Sequence, residues 1–291
     1  MNRKIGLLIF VLSLVLVAST AALSLTYSFS QVDVPNSTFC QARGINALGA
    51  IVGRFKDVNT QTFRGFLYYK GQFTTLVFPG AGVGGNNAAA INNHGDIVGL
   101  YVAPGAPEQH GYLYSHGTYS SIDFPDARAT VPSGINDRGD IVGSFQDTSG
   151  KSHGFLLRQG QYTEFDYPGA KGIALGSPAI NNIGDIVGGY TDADGMGHGF
   201  LLRDGTFSTI DFPGSPRGGA SGINDFGVIV GNYIDELEVN RGYVLIGGQF
   251  TTLTVPSAPT TTWGINAFGT IVGGYSDCAG ISHGFKAVQT R

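Results

Sequence analysis

Gly134 to Gly169 reads GINDRGDIVGSFQDTSGKSHGFLLRQGQYTEFDYPG, and this stretch decides the fold of the chain. It holds four segments rich in β-branched and aromatic residues, each bounded by turn formers, as is typical of β-strands. Asn136-Asp137-Arg138-Gly139 suits a type I turn after the first segment. Gly160 suits a tight hairpin before the last segment, and a longer polar loop joins the middle two. The stretch therefore predicts a four-stranded antiparallel unit.

The same unit recurs along nearly all of the chain after residue 26. Each of six copies carries an Ile-Asn pair, then Ile-Val-Gly, then a Gly-aromatic pair. The asparagines are 46, 44, 45, 43 and 42 residues apart. These markers are Asn46, Asn92, Asn136, Asn181, Asn224 and Asn266. Four strands in forty-odd residues are the repeat of a β-propeller blade.

The count of fourth strands predicts how the repeats close. Copy six ends with its third strand, because the chain stops at Arg291. Tyr27 to Pro35 (YSFSQVDVP) matches a fourth strand such as Phe207 to Pro213 (FSTIDFP). We therefore predict an all-β fold, a six-bladed β-propeller of four-stranded antiparallel blades, with the last blade closed by the N-terminal strand. Blades of this kind bury their apolar faces only by stacking on both neighbours.

Residues 1–22 are of a different kind and predict a secretory signal peptide. Arg3 and Lys4 precede the apolar run Ile5 to Ala18, and small residues follow to Ala22. The alternative is an uncleaved membrane anchor, for which the run is short, because a span needs roughly 20 residues. Residues 23–291 are then a single propeller domain.

Charge excludes several classes of partner. Cleavage after residue 22 would remove two cations and no acid, so the formal charge would fall from −4 to −6. Lysines and arginines are scattered, which argues against nucleic acid and against an anionic membrane surface. We expect a secreted or periplasmic monomer.

The repeat also resembles a known family. The pattern GIN-x-x-G-x-IVG, followed by HGFLL and FTTIDFPGA-like segments, is similar to the HAF repeats, extracellular repeats of bacterial proteins named for a His-Ala-Phe triplet. His-Gly-Phe stands here at His153, His198 and His283, and His-Gly-Tyr at His110. The resemblance covers essentially the whole chain after the signal segment. It implies an exported, propeller-like protein, and it brings no established activity and no catalytic residues.

The histidines and one acidic loop are the candidate metal ligands. His110, His153, His198 and His283, with Arg64 and Arg241 in the other two copies, all begin a third strand. Symmetry spreads them around a circle, so we expect hydrogen bonds to loops and no metal centre. Asp192-Ala193-Asp194-Gly195 offers oxygen ligands of the kind that calcium prefers. Asp192 and Asp194 are therefore the calcium candidates, with a solvated turn as the alternative and no other cofactor expected.

Three further groups depart from the repeat. Asp235, Glu236 and Glu238, with Glu108 in the matching loop of copy two, could supply a carboxylate pair for glycoside chemistry. Their alternative is a role in solubility. Trp263 is the only tryptophan, and Arg43 holds the equivalent position in copy one, three residues before the marker asparagine. In a closed ring these copies are neighbours, so the pair could bind a sugar or planar ligand at the channel mouth, or simply fill the seam.

Cys40 and Cys278 are the only cysteines. An exported chain permits a disulfide. Both residues are expected on the same face of adjoining blades, so a bond would clasp the ring at its closure; two free thiols remain the alternative.

Three functions fit these observations. The first is a non-catalytic exported propeller that binds a glycan or protein through its variable loops, since binding commonly resides on loops held by a rigid scaffold. The second is a glycan-active hydrolase or lyase that uses the loop acids. The third is a structural component of the envelope or matrix.

Overall fold

The computed structural model describes residues 25–82, 85–105, 107–215, 217–255 and 258–290. Every regular element in these ranges is a β-strand. No helix in the described ranges is both long and apolar enough to cross a bilayer. The predicted signal segment, 1–22, lies outside the described residues.

The first strand, β1 (Thr26–Gln31), precedes three blades of regular construction. In these blades four consecutive strands pair antiparallel in chain order. Their bounds are β2 (Ser37–Ile45), β3 (Ile51–Asp57), β4 (Phe63–Tyr69) and β5 (Gln72–Leu76) in blade one; β6 (Asn86–Ile91), β7 (Ile97–Val102), β8 (Gln109–Ser115) and β9 (Thr118–Ile122) in blade two; and β10 (Ala129–Ile135), β11 (Ile141–Gln146), β12 (Ser152–Arg158) and β13 (Gln161–Phe165) in blade three.

The remaining strands build blades four to six. Their bounds are β14 (Gly172–Ile173), β15 (Ala179–Ile180), β16 (Ile186–Thr191), β17 (Gly197–Arg203) and β18 (Thr206–Ile210) in blade four; β19 (Gly218–Ile223), β20 (Ile229–Ile234), β21 (Asn240–Ile246) and β22 (Gln249–Leu253) in blade five; and β23 (Thr260–Ile265), β24 (Ile271–Ser276) and β25 (Ser282–Thr290) in blade six. Blade four differs from the others, because its innermost strand is split into β14 and β15.

The N-terminal strand completes blade six, as the sequence predicts. β1 pairs antiparallel with β25 from Thr26 opposite Thr290 to Gln31 opposite Phe285. A single parallel bridge from Phe39 to Ser282 then joins blades six and one into one eight-stranded sheet. The chain therefore closes non-covalently, with its first strand on its last.

The core lies between blades. Six clusters of buried apolar side chains occur, and each combines residues of two adjacent blades. One of them joins Val98 and Ile122 of blade two to Phe155 of blade three. Another joins Val272 of blade six to Phe66 of blade one, so the closing junction is packed like the rest. Apolar burial of this kind is the main favourable term in folding, and here it requires the whole ring.

The repeated Ile-Val-Gly triplet and the Gly-aromatic pair fit together in this core. The ring of Phe155 lies over Gly143, where a Cβ atom would come within 2.7 Å of it. Phe155 itself is fully buried. The aromatic side chain of the next strand therefore packs against the glycine of the triplet, where any larger residue would clash with it.

The two ends of the ring differ in their connections. Asn136 and Gly139 close the turn between β10 and β11 through a 3.1 Å backbone hydrogen bond, with Gly139 at φ 77°. We call the face that carries these six turns the tight-turn end. The opposite face, where the second and third strands are joined by longer loops, is the loop end.

Candidate functional site

A belt of six asparagines surrounds the axial channel at the tight-turn end. Each marker side chain donates from Nδ2 to the backbone carbonyl of the next marker, over 3.0 to 3.2 Å. The last of these bonds runs from Asn266 back to Asn46 and closes the belt. Each Oδ1 also accepts the amides of its own turn, as Asn136 does from Arg138 and Asp140. The marker asparagines thus hold the blades together.

Above the belt, the position three residues before the marker lines a small axial cavity of about 80 Å³ in five of the six blades; in blade four, Ala179 lines it instead. Four blades place small or cyclic residues there, whereas blades one and six place Arg43 and Trp263. The guanidinium carbon of Arg43 lies 4.2 Å from the ring centroid of Trp263, within the range of a cation–π contact. Arg43 and Trp263 are therefore in contact across the junction of blades one and six, as the sequence predicts.

Both side chains of this pair contain a buried nitrogen with no hydrogen-bond partner among the described residues, namely Arg43 Nε and Trp263 Nε1. Burial, and then the neighbouring charge of Arg54, lower the pKa of Arg43 to about 9. The side chain therefore remains cationic at neutral pH. Arg54 donates from Nε to Gln41 Oε1 over 3.1 Å, and burial lowers its pKa as well.

A larger pocket of about 350 Å³ opens between blades four and five. Its wall includes Gly218, Ile234 and Asn240, which lie where blade five carries its long loop, so the pocket is at the loop end. Trp263 and Ser221 line both this pocket and the axial cavity. We call the axial cavity and this pocket, which share these two wall residues, the funnel.

Two local features make room for the pocket. The innermost strand of blade four is reduced to two pieces of two residues, β14 and β15, with an irregular segment between them. The neighbouring positions Gly189 and Gly219 have no side chain to fill the space. This pocket was not predicted from the sequence, although blade four departs from the repeat between Gly172 and Ile180.

The four repeat histidines lie away from the funnel, each within its own blade. Each Nδ1 contacts an aspartate at the end of the fourth strand: His110 with Asp123 at 3.1 Å, His153 with Asp166 at 2.8 Å, His198 with Asp211 at 3.0 Å and His283 with Asp33 at 2.6 Å. Each imidazole also stacks on an aromatic ring of the second strand. The histidines therefore tie the long loop and the outer strand to the blade.

Of the two calcium candidates, Asp192 already has partners within its own loop. The Asp192 carboxylate accepts the amides of Asp194 and Met196 and contacts His198 Nε2 at 3.1 Å, so it closes its own loop. In the described part of the chain, the group with three metal-ligating side chains close together is a different one, His153, Glu164 and Asp166. The ammonium of Lys151 lies 3.2 Å from Asp166 and already balances charge there.

The four candidate acids are not brought together either. Asp235 is held by Arg241 at 2.8 Å, and this contact, with amides of its loop, lowers the pKa of the carboxyl. Glu238 pairs with Arg217, and Glu236 is exposed. Glu108 lies beside Arg128, near the junction of blades two and three. Because blades two and five are not adjacent, Glu108 does not pair with the three acids of the blade-five loop, two of which are already paired with arginines.

The proposed disulfide is absent from the structure, where both cysteines are free. The Cys40 thiol is buried and donates to the Val32 carbonyl over 3.3 Å. Burial raises the pKa of this thiol to about 12. Cys278 is exposed in a turn closed by the hydrogen bond from Gly280 to Asp277. The two thiols thus occupy different environments, one inside the closing junction and one at a loop tip.

Neither the family models nor the curated proteins contain a match to this sequence. Solved structures do match. A fungal lectin from Aleuria aurantia, described as a six-bladed β-propeller with a novel fucose recognition mode, is 12% identical with a TM-score of 0.53, over 90% of this chain and 97% of that chain. AofleA from Arthrobotrys oligospora is 13% identical with a TM-score of 0.56, over 92% and 90%. A putative gluconolactonase is 15% identical with a TM-score of 0.55, over 91% and 92%.

These similarities establish the β-propeller fold. At such low identity they say nothing of residues or activity, because one fold carries many functions. The site must therefore be argued from its own geometry.

Proposed function

We propose that this chain is an exported, non-catalytic β-propeller that binds a carbohydrate in the funnel. The observation that carries the proposal is Trp263, the only tryptophan, in the wall shared by the axial cavity and the pocket. Its half-buried ring and its unpaired Nε1–H offer an apolar surface and a hydrogen-bond donor in one residue. A sugar presents both kinds of surface, apolar C–H faces and hydroxyl acceptors.

The dimensions of the funnel agree with this assignment. Its pocket of about 350 Å³ lies at the low end of the range of small-molecule sites, roughly 300 to 1,000 Å³. Tyr233 and Asn240 also lie in the pocket wall, and the Asn240 Nδ2 already donates to Thr260 and Thr261. The fold likeness to a propeller described as recognising fucose supports carbohydrate as the class of ligand.

The remaining parts of the proposal concern location and family. The residues of the predicted signal segment support export to the periplasm or the exterior. Membership of the HAF-repeat family, a monomeric state and the absence of a required cofactor remain predictions from the sequence. The arginine partners of Asp235 and Glu238, and the position of Glu108 in a different blade, are the reasons for favouring binding over glycoside hydrolysis.

Because Trp263 is the only tryptophan, its fluorescence is a direct test. A glycan array identifies candidate ligands, which are then titrated while the emission of Trp263 is followed. We expect a saturable change in intensity or wavelength. Trp263→Ala should weaken binding at least tenfold, measured by calorimetry, because a buried aromatic contact contributes on the order of 1–3 kcal/mol.

Phe268 is the matched control. It belongs to the same blade, but it lies at the tight-turn end and is 78% exposed. Phe268→Ala should leave carbohydrate binding unchanged. Equal losses in the two variants, or no carbohydrate bound by the parent protein, would refute the proposed function.

A further inference from the structure

The charge of the funnel is opposite to that of the chain. The whole sequence carries 21 acidic and 17 basic residues. Among the described residues that line the axial cavity and the pocket, however, there is no aspartate or glutamate, whereas Arg43 and Arg217 are both present. Arg217 is already paired with Glu238 of the exposed loop. Arg43 is therefore the uncompensated charge of the site.

Arg43 is half-buried and lacks the partners that such a cation normally has. It forms no ion pair in the described part of the chain, and its Nε is buried without an acceptor. Trp263 holds it by cation–π contact, which satisfies no N–H group. An unpaired buried charge is costly, and a guanidinium has donors only, so the missing partner must supply acceptors.

A second guanidinium strengthens the same field. Arg54 is close enough for its charge to act on Arg43. Its guanidinium carbon lies 5.2 Å from the ring centroids of both Phe39 and Phe63, and its Nε contacts the neutral Gln41. Aromatic rings and an amide hold this side chain without neutralising it. Two neighbouring cations are thus kept in place, and neither forms an ion pair with a carboxylate of the described residues.

We propose that the funnel binds an anionic carbohydrate, whose carboxylate or sulfate group is bound by Arg43 while Arg54 raises the local positive potential. This inference rests on the proposed carbohydrate-binding function and specifies the class of sugar. Arginine suits the role, because its planar donors match the oxygens of a carboxylate or sulfate in pairs. Trp263 fixes the guanidinium plane beside the space that the sugar ring would occupy.

The test compares ligands that differ in charge. Calorimetry would measure binding of an oligomer of galacturonic acid, its neutral methyl ester, a sulfated galactan oligosaccharide and the unsulfated galactan. We expect an acidic probe to bind about tenfold or more tightly than its neutral counterpart, because charge-assisted hydrogen bonds contribute about 1.5–3 kcal/mol. The carboxylated and sulfated arms distinguish the two sources of charge. Raising the salt concentration should weaken only the acidic probes.

Variants then assign the effect to Arg43. Arg43→Gln should reduce binding of the acidic probe at least tenfold and change binding of its neutral counterpart less than twofold. Arg43→Lys should retain part of the preference. Arg128→Gln is the matched control, because Arg128 is exposed near blade three and the change in net charge is the same. Retained binding of the neutral probe also shows that a variant is folded, and Arg54→Gln supplies a second variant with a smaller expected loss.

The outcomes separate the two proposals. If neutral and acidic probes bind equally, or if Arg43→Gln weakens both equally, the anionic preference is wrong and carbohydrate binding stands. If no probe of either charge binds and the glycan array is blank, both are wrong.

Discussion

At the tight-turn end of the channel, six asparagines make the same two kinds of hydrogen bond six times over, whereas at the loop end neighbouring blades present unlike side chains to the axis. Every side-chain nitrogen and oxygen of the asparagine belt has at least one hydrogen-bond partner, and Asn136 donates two bonds and accepts two. Above the belt, on the side toward the loop end, Arg43 and Trp263 each contain a buried nitrogen that has no hydrogen-bond partner among the described residues. Both ends are parts of the same strands.

The difference shows how a repeat protein separates stability from binding. Residues that recur in every blade form hydrogen bonds with their equivalents in the next blade, so these groups stabilise the ring. Residues that break the repeat have no equivalent partner in the next blade, so their hydrogen-bonding capacity is left for something else. In this molecule two of the departures, Arg43 and Trp263, lie together in the funnel wall.

The largest effect should come from removing residues 25–35, which we call the latch. Both ends of the channel depend on the ring that this segment closes. Deleting residues 25–35 would expose the edge of β25, remove the edge-to-face contact of Phe29 with Phe285 and leave His283 without Asp33. We expect loss of the ring and aggregation. Size-exclusion chromatography and the near-UV circular dichroism of Trp263 would report it.

A circular permutant provides the control for the latch. Thr26 lies opposite Thr290, so the strand can be moved to the end of the chain and joined to β25 by a short hairpin. This order should restore a folded ring. A deletion that stays monomeric with native dichroism would show that the first strand is dispensable and that the ends are held by other contacts.

The second effect concerns the belt alone. Asn136 is buried, bridges to Asn181 in blade four and accepts two turn amides. Asn136→Ala leaves several of these groups unpaired, so we expect a loss of about 3 kcal/mol or more in the free energy of unfolding, measured with denaturant.

Asn59 is the comparison residue for that experiment. It is exposed in the loop between β3 and β4, and Asn59→Ala should change stability by less than about 0.5 kcal/mol. Similar losses at both positions would mean that the belt does not hold the blades. The folded fraction of Asn136→Ala should still bind sugar. That result would show that the belt contributes to stability and does not contribute to binding.

The sequence predicted the belt end better than the funnel end, and the reason is physical. A sequence repeat reveals residues whose partners also repeat. The marker asparagines, the tight turns and the latch could therefore be predicted from the spacing of the copies. The pairing of Arg43 with Trp263 followed from ring closure plus equivalence of position. These inferences needed only local pattern and one topological argument.

The pocket could not be predicted in the same way. It exists because β14 and β15 are separate and because Gly189 and Gly219 leave space, and such a volume depends on packing across two blades. The disulfide that the sequence allowed is absent for a related reason. The Cys40 side chain points into the junction of blades six and one, where its thiol donates to the Val32 carbonyl. Side-chain direction is set by the packed neighbour, which the spacing of repeats does not contain.

The smallest predicted effect belongs to the loop end and depends on pH. Burial opposes protonation of His198, but hydrogen bonds and charges from Asp211 and Asp192 outweigh it and raise the pKa of the imidazole. A raised pKa in the folded state means that the protonated form stabilises the blade. That stability is fully present below the unfolded pKa, about 6.5, and is lost as the pH rises through the higher folded pKa.

His198→Asn should therefore cost more at pH 5.5 than at pH 8.5, by less than about 1 kcal/mol, because partly exposed ion pairs contribute little. Thermal unfolding at both pH values would measure the difference. His116→Asn is the control, since His116 is exposed in a tight hairpin and forms no ion pair with the described residues. Its φ of 50° is one that asparagine tolerates, so the backbone is not strained by the change. An equal cost of His198→Asn at the two pH values would mean that the loop is held by its amide hydrogen bonds to Asp192, and that the histidine–aspartate pair adds no charge-dependent stability to this end of the ring.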